Sequence, residues 1–320
     1  MMDRRSLGLF AVVAVFFGGT FVAAKAGLAY FPPLTFVALR FDIAALLLGG
    51  YVLATHSPSA LWPRSRGDWL GIVATGGFVI GLANALLFVG QQHTTSAVGA
   101  VLFSLIPILT PVVAAVLLPA TRISRRETLG LLVGLAGVVL VINPDPAMLT
   151  GGTASGRAII FAGAFSAATG AVLIRRAEAT LSSTVRIAWG LLLAAAISHV
   201  LAIAAGESPA AITWAPAGIL ALAYVAVIAG VFAYIAYFAL LDTAGPIRAN
   251  LVFYAVPVVS TLGGIVLLGE STAPTTIAGF LTIAIGFGVI GSKSVDLGAL
   301  RRRITETDHS PQPQNRSRSD

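Results

Sequence analysis

The sequence predicts an all-α membrane protein with ten transmembrane helices, arranged as two inverted five-helix repeats. Three observations predict it: an apolar composition with few charges, ten apolar segments joined by short links, and a repeat whose equivalent loops carry opposite charge bias. Of the 320 residues, 57% are hydrophobic and only 10% are charged, against about 25% charged in an average soluble protein. A soluble fold of this length has too much surface for so few charges to cover. At about 20 residues per crossing, ten spans use roughly 200 residues and leave the rest for loops and tails. Zero Cys excludes disulfides, thiolate metal sites and cysteine nucleophiles. The formal charge of +7 does not point to nucleic acid, because the basic residues are dispersed between apolar runs.

The expected spans run from about 7–27, 33–54, 69–90, 96–118 and 127–143 in the first half. In the second half they run from about 157–175, 184–205, 215–240, 246–268 and 274–292. Helix is the expected form because it satisfies its own backbone in lipid, and the polar–apolar alternation of barrel strands is missing. Arg4 and Arg5 before an apolar stretch ending Val22-Ala23-Ala24-Lys25-Ala26 resemble a signal peptide with a small-residue cleavage site. Nine apolar segments follow, so the stretch is read as a retained first helix. With a cytoplasmic N-terminus, 17 of the 20 Lys and Arg fall on the inside, Arg157 alone falls outside, and Lys25 and Arg40 are embedded. That asymmetry is the one cytoplasmic loops carry. It places the chain in the inner (plasma) membrane with both termini cytoplasmic. The polar tail, residues 293–320, reads as disordered, and its Arg301-Arg302-Arg303 cluster either touches anionic lipid heads or anchors the topology.

Two stretches look alike. One runs from Ser96 through Pro107 to Gly130 and Gly137, the other from Pro246 through Pro257 to Gly279 and Gly286. Lys25 lies 82 residues before Pro107, and Arg175 lies 82 before Pro257. The halves, residues 1–150 and 151–292, are thus offset by about 150, and five spans each make the second enter the membrane upside down. Loop charges agree. The loop at Arg122–Arg126 is basic while its counterpart at Glu270–Ala273 has no cation. The uncharged link from Ala26 to Pro32 is matched by one holding Arg175, Arg176 and Arg186. Inverted repeats are a signature of secondary transporters.

The order and spacing of short motifs carry a family resemblance. They are Phe17-Gly18-Gly19-Thr20-Phe21 with Lys25; Pro32-Pro33 with Arg40; Ser96-Ala97-Val98-Gly99-Ala100 before Pro107; and Pro257, Leu268-Gly269-Glu270 and Gly279. On these the chain resembles the EamA family of the drug/metabolite transporter superfamily, over about residues 7–292. The family usually has Trp where Phe17 stands, and a Glu near the end of the fourth span, where this chain has Ala120 or Thr121. The resemblance implies an exporter of amino acids or other small metabolites, and so a small-molecule substrate; the composition makes the lipid bilayer its other partner, and no residue constellation calls for a cofactor.

Polar residues at membrane depth are the best functional pointers. Asn84 and Tyr234 are related by the 150-residue offset and both lie near the midplane, so they either face a central cavity or make ordinary interhelical hydrogen bonds. Phe88, four residues after Asn84, shares its helix face. Phe88, Tyr237, Trp189 and Tyr254 can hold apolar or ammonium parts of a substrate, or simply pack. Thr20 and Phe21 follow the close-approach glycines Gly18-Gly19. Lys25 can snorkel to the headgroups. Arg40 can bind a substrate carboxylate, or fix helices through backbone carbonyls or Asp42. Pro107 and Pro257 are expected inside helices, bending both halves alike. Glu270 is expected near a span end. No metal-ligand pair, phosphate loop or catalytic constellation stands out, so no enzyme is expected. The rival readings are a lipid-modifying intramembrane enzyme, which needs an acid–base cluster at depth, and an assembly factor, which needs a solid apolar centre.

Overall fold

The computed structural model describes residues 4–118, 125–142, 152–244, 249 and 252–291. Every regular element among the described residues is a helix. We label α1 (Arg4–Gly27), α2 (Pro33–Thr55), α3 (Arg66–Gln91), α4 (Ser96–Leu117), α5 (Arg125–Ile142), α6 (Gly152–Ala177), α7 (Ser183–Ala204), α8 (the consecutive segments Pro216–Ala223, Tyr224–Phe232 and Ala233–Ala244), α9 (Val252–Leu268) and α10 (Pro274–Gly291). Among the described residues, seven helices are long and apolar enough to cross a membrane. Thr128–Val141, Ala255–Leu268 and Pro274–Gly286 are apolar but shorter. Aliphatic side chains project outward, Val116 (78% exposed), Ile203 (77%) and Val266 (78%) among them. That apolar exterior suits lipid and would be costly in water.

Start signals are local. Pro33, Pro216 and Pro274 each open a helix, where the absent N–H is not missed. Ser65 and Asp68 form a reciprocal capping box at α3, and the Thr95 and Ser182 hydroxyls accept from Val98 and Val185 N–H at α4 and α7. Two carboxylates also bridge distant segments. Glu207 accepts from Leu34 N–H (3.0 Å) and Thr35 N–H (2.7 Å) at the start of α2. Asp68, fully buried, accepts from Thr180 N–H (2.7 Å) and Leu181 N–H (2.9 Å) just before α7. In a membrane protein such helix ends need these acceptors because little else can satisfy them.

The principal packing partners form a symmetric set: α1 with α8 and α9, α6 with α3 and α4, α2 with α7 and α8, α7 with α3, α4 with α9, and α5 with α10. Exchanging α1–α5 for α6–α10 maps this set onto itself. Glycines allow the tightest seams. A Cβ at Gly137 would lie 2.7 Å from the Gly279 carbonyl oxygen, and one at Gly286 2.6 Å from that of Gly130, so α5 and α10 touch backbone to backbone.

Two features lie outside the sequence expectations. Val73–Leu82 in α3 and Tyr224–Phe232 in α8 are π-helical, at equivalent places in the two halves. Such segments are rare and gather at functional sites. The second feature is in α4. Pro107 was expected inside a helix, but α4 breaks at Ser104–Leu105 and restarts at Ile106, with Pro107 in the new first turn and Pro111 inside. The break relieves the clash a mid-helix proline would cause, so the kink sits one turn early. Pro257 does lie inside α9, as expected.

Candidate functional site

A cavity of about 360 Å³ lies between the two sets of helices. Its polar wall is built by Thr20 of α1, Arg40 of α2, Asn84 of α3, Ser104 of α4 and Tyr234 of α8. Asn84 and Tyr234 each stand two residues beyond a π-helical segment. The widened turn upstream thus sets the angle at which each side chain enters the space.

Arg40 dominates the chemistry. It is 9% exposed, and its Nη1 donates to Asn84 Oδ1 at 3.0 Å. Asn84 Nδ2 in turn donates to the Ile80 carbonyl at 2.7 Å, which fixes the amide orientation. The guanidinium carbon lies 5.3 Å from the Phe41 ring centre and 5.8 Å from that of Phe88, within cation–π range. The Tyr234 hydroxyl is close enough to interact electrostatically with Arg40. Thr20 and Ser104 donate back to the Phe16 (3.1 Å) and Val101 (2.6 Å) carbonyls, so their oxygen lone pairs remain as acceptors. The apolar wall is aromatic. Phe17 stacks on Phe253 (5.9 Å between centres) and meets Tyr234 edge-on (5.3 Å), while Phe21 meets Phe103 edge-on (5.9 Å).

The structure therefore brings Thr20, Phe21, Arg40, Asn84, Pro107 and Tyr234 to one cavity. Phe88 is fully buried behind Arg40 and does not line the space. Tyr237 packs one layer back, against Phe17 and Phe253. Trp189 sits elsewhere, its Nε1 donating to the Leu61 carbonyl (2.8 Å) amid Trp62 and Trp69. The Tyr254 side chain, the Ala120–Thr121 position and residues 293–320 lie outside the described residues. Phe253, Phe103 and Ser104 were not singled out in the sequence, and Phe17 was noted as a motif residue standing where a Trp is usual, not as a cavity residue. The one usable signal for Ser104 was its place a turn before a proline.

Lys25 and Glu270 lie at the same end of the bundle. Lys25 Nζ donates to the Gln91 carbonyl at 2.6 Å rather than reaching for headgroups, and it interacts electrostatically with Glu270. The Glu270 carboxylate accepts from Ser96 N–H (3.0 and 3.1 Å) and Ser96 Oγ–H (2.5 Å). Gln91 Nε2 donates to the Phe21 carbonyl (3.2 Å). This knot ties the ends of α1, α3 and α4 to the segment after α9. Asp42, which the sequence offered as a partner for Arg40, instead meets His199 of α7 at 2.9 Å, on a partly exposed face. No group of His, Asp and Glu able to hold a metal occurs among the described residues.

Comparison with known proteins fits this geometry. The model of the EamA-like transporter family matches twice, over residues 5–143 and 154–292. The "Uncharacterized inner membrane transporter YedA" of Escherichia coli K12 is 27% identical over 307 residues, covering 93% of this chain and 94% of its own. The "Uncharacterized transporter YyaM" of Bacillus subtilis is 28% identical over 300 residues, 90% of each chain. The "Probable amino-acid metabolite efflux pump" of Salmonella typhimurium is 29% identical over 301 residues, 89% of this chain and 94% of its own. A protein of known crystal structure shares the fold at a TM-score of 0.60, covering 90% of this chain and 98% of that one at 22% identity.

Proposed function

We propose that this chain, which belongs to the EamA-like transporter family, is a secondary transporter that exports small metabolites such as amino acids. It works by alternating access between two inverted five-helix halves, residues 1–150 and 151–292. All ten apolar helices cross the inner membrane, both termini are cytoplasmic, and residues 293–320 form a polar cytoplasmic tail. The observation that carries this reading is the placement of the cavity: its walls come from α1–α4 and from α6, α8 and α9, helices of both halves. The symmetric packing set supports this reading, because two inverted halves of like packing can exchange conformations, which is how alternating access works. The partly polar cavity between Asn84 and Tyr234 weighs against an assembly factor with a solid apolar centre. The relative named as an amino-acid metabolite efflux pump supports the substrate class.

In this reading Lys25, Gln91, Ser96 and Glu270 form the outer gate. Their bonds close the periplasmic end, and breaking them exposes the cavity to the outside. Arg40, Asn84 and Tyr234 face the substrate, and the aromatic wall holds its apolar part. Purified protein in liposomes, assayed with labelled amino acids and related metabolites, tests the function. Flux above that of protein-free liposomes is expected for at least one. No flux for any of them, from protein shown to be folded, overturns it.

A further inference from the structure

Building on the transporter reading, we propose that the cavity selects substrates carrying a carboxylate on an apolar body, with the carboxylate docking on Arg40 beside Asn84 and Tyr234. A guanidinium at membrane depth is expensive unless an anion compensates it. Among the described residues Arg40 has no such anion. No carboxylate among them pairs with it; Asp42, two positions on, pairs with His199 instead. Its hydrogen bond goes to a neutral amide, Asn84. Arg40 lines the cavity, and among the described residues its side-chain hydrogen bond uses Nη1 alone, so its other N–H groups are left for a ligand there. A planar fork of donors is the geometry that binds a carboxylate through two parallel hydrogen bonds.

The surroundings set that fork up. The Asn84 amide, itself held by the Ile80 carbonyl, pins one arm of the guanidinium. The Phe41 and Phe88 rings lie against it. The Tyr234 side chain, half exposed and lining the cavity, offers a hydroxyl donor near the same charge. The same cavity is lined by Phe17, Phe21, Phe103 and Phe253, a surface for an apolar or aromatic body. Among the described residues no Asp or Glu lines the space, so a substrate ammonium meets no ion-pair partner there. A simple monocarboxylate therefore binds at least as well as the amino acid of the same skeleton, and the corresponding amine does not bind. The volume, about 360 Å³, falls near the small end of the ~300–1,000 Å³ typical of small-molecule pockets, which suits one ring or a short chain beside the carboxylate.

The test is a thermal-melting titration of the full-length purified protein in detergent. The probes share a skeleton and differ in one group: 3-phenylpropionate, phenylalanine, 3-phenylpropionamide and phenethylamine, with acetate and indole-3-acetate to bracket body size. Ligand binding to the folded state raises the melting temperature, by an amount that grows with the logarithm of ligand concentration over Kd. Stabilisation by at least one of the acids is expected, equal to or above that of phenylalanine, with none from the amide or the amine. Arg40→Lys, which keeps the charge and loses the fork, is expected to weaken acid binding about tenfold or more. Tyr234→Phe, which keeps the ring and removes the donor, should weaken it less. The unsubstituted protein with its probe panel decides the matter even if a variant fails to fold. Stabilisation by no acid, equal stabilisation by amide or amine, or an Arg40→Lys protein that binds the acid unchanged would each overturn the carboxylate site. The two readings fail separately. Liposome flux of uncharged or cationic metabolites without acid binding removes the carboxylate site and leaves transport standing. Acid binding without any flux does the reverse.

Discussion

Glu270→Gln should open the outer end of the bundle. The carboxylate accepts the Ser96 N–H with both oxygens and the Ser96 hydroxyl with one, and Lys25 lies close enough to interact with it. Hydrogen bonds to a charged group contribute about 1.5–3 kcal/mol net. Glutamine is the same size and keeps one acceptor oxygen, but it loses the charge and one oxygen's worth of acceptance. Glu270 is partly exposed, so water recovers some of the loss, and the low end of that range applies, about 1.5 kcal/mol. Since 1.4 kcal/mol is tenfold in an equilibrium constant, the ratio of outward-open to outward-closed protein should rise about tenfold. The chain contains no cysteine, so Ser104→Cys puts a single thiol on the cavity wall. A membrane-impermeant maleimide applied to one side of sealed, oriented vesicles then reads accessibility from that side. The labelling rate from outside should rise about tenfold when Glu270→Gln is added, while the rate from inside does not rise. An outside rate that stays constant or falls would show that this polar knot does not gate the cavity.

Asp68→Ala leaves the N–H groups of Arg64, Ser65, Thr180 and Leu181 without their acceptor. It should cost about 3 kcal/mol, read as a fall in melting temperature, and Asp68→Asn should cost less than half of that. Gly137→Val pushes a side chain into the Gly279 carbonyl and Ile283 and should destabilise by about 1–3 kcal/mol. Gly288→Ala, where a Cβ would meet nothing within 4 Å, should leave the melting temperature unchanged or slightly raised. Asp42→Ala breaks the contact with His199, which lies on a partly exposed helix face. It should leave the affinity of cavity ligands unchanged in thermal titration, and a marked loss would tie that pair to the site.

Much of this was legible in the sequence because membrane helices announce themselves by length and apolarity. The seven helices of spanning length begin and end within a few residues of the runs read from hydropathy. The 150-residue offset paired Asn84 with Tyr234, and both line the cavity, because equivalent residues of two like folds face their shared centre. The rest depended on contacts that sequence spacing does not encode. Arg40 meets Asn84 across 44 residues and Asp42 meets His199 across 157. Local reasoning could only note that Arg40 and Asp42 do not face each other on one helix. The π-helical segments carry no composition that separates them from α-helix, yet they set which residues point inward. Phe88 shares a helix face with Asn84, as expected, but Arg40 lies against it and it does not line the cavity, so periodicity found the right face while the side chain sits one layer deeper than a substrate contact. Trp189 was read from residue type alone, and its hydrogen bond to Leu61 places it in a cluster with Trp62 and Trp69.

The central claim is that the halves are inverted copies, and single-cysteine topology tests it most directly. Ser59 follows α2 and Ala210 follows α7; both are exposed, and they sit in equivalent links of the two repeats. Ser59→Cys should react with an impermeant maleimide only from the cytoplasmic side, and Ala210→Cys only from the outside. Reaction of both from the same side would contradict the inversion and the alternating-access mechanism built on it.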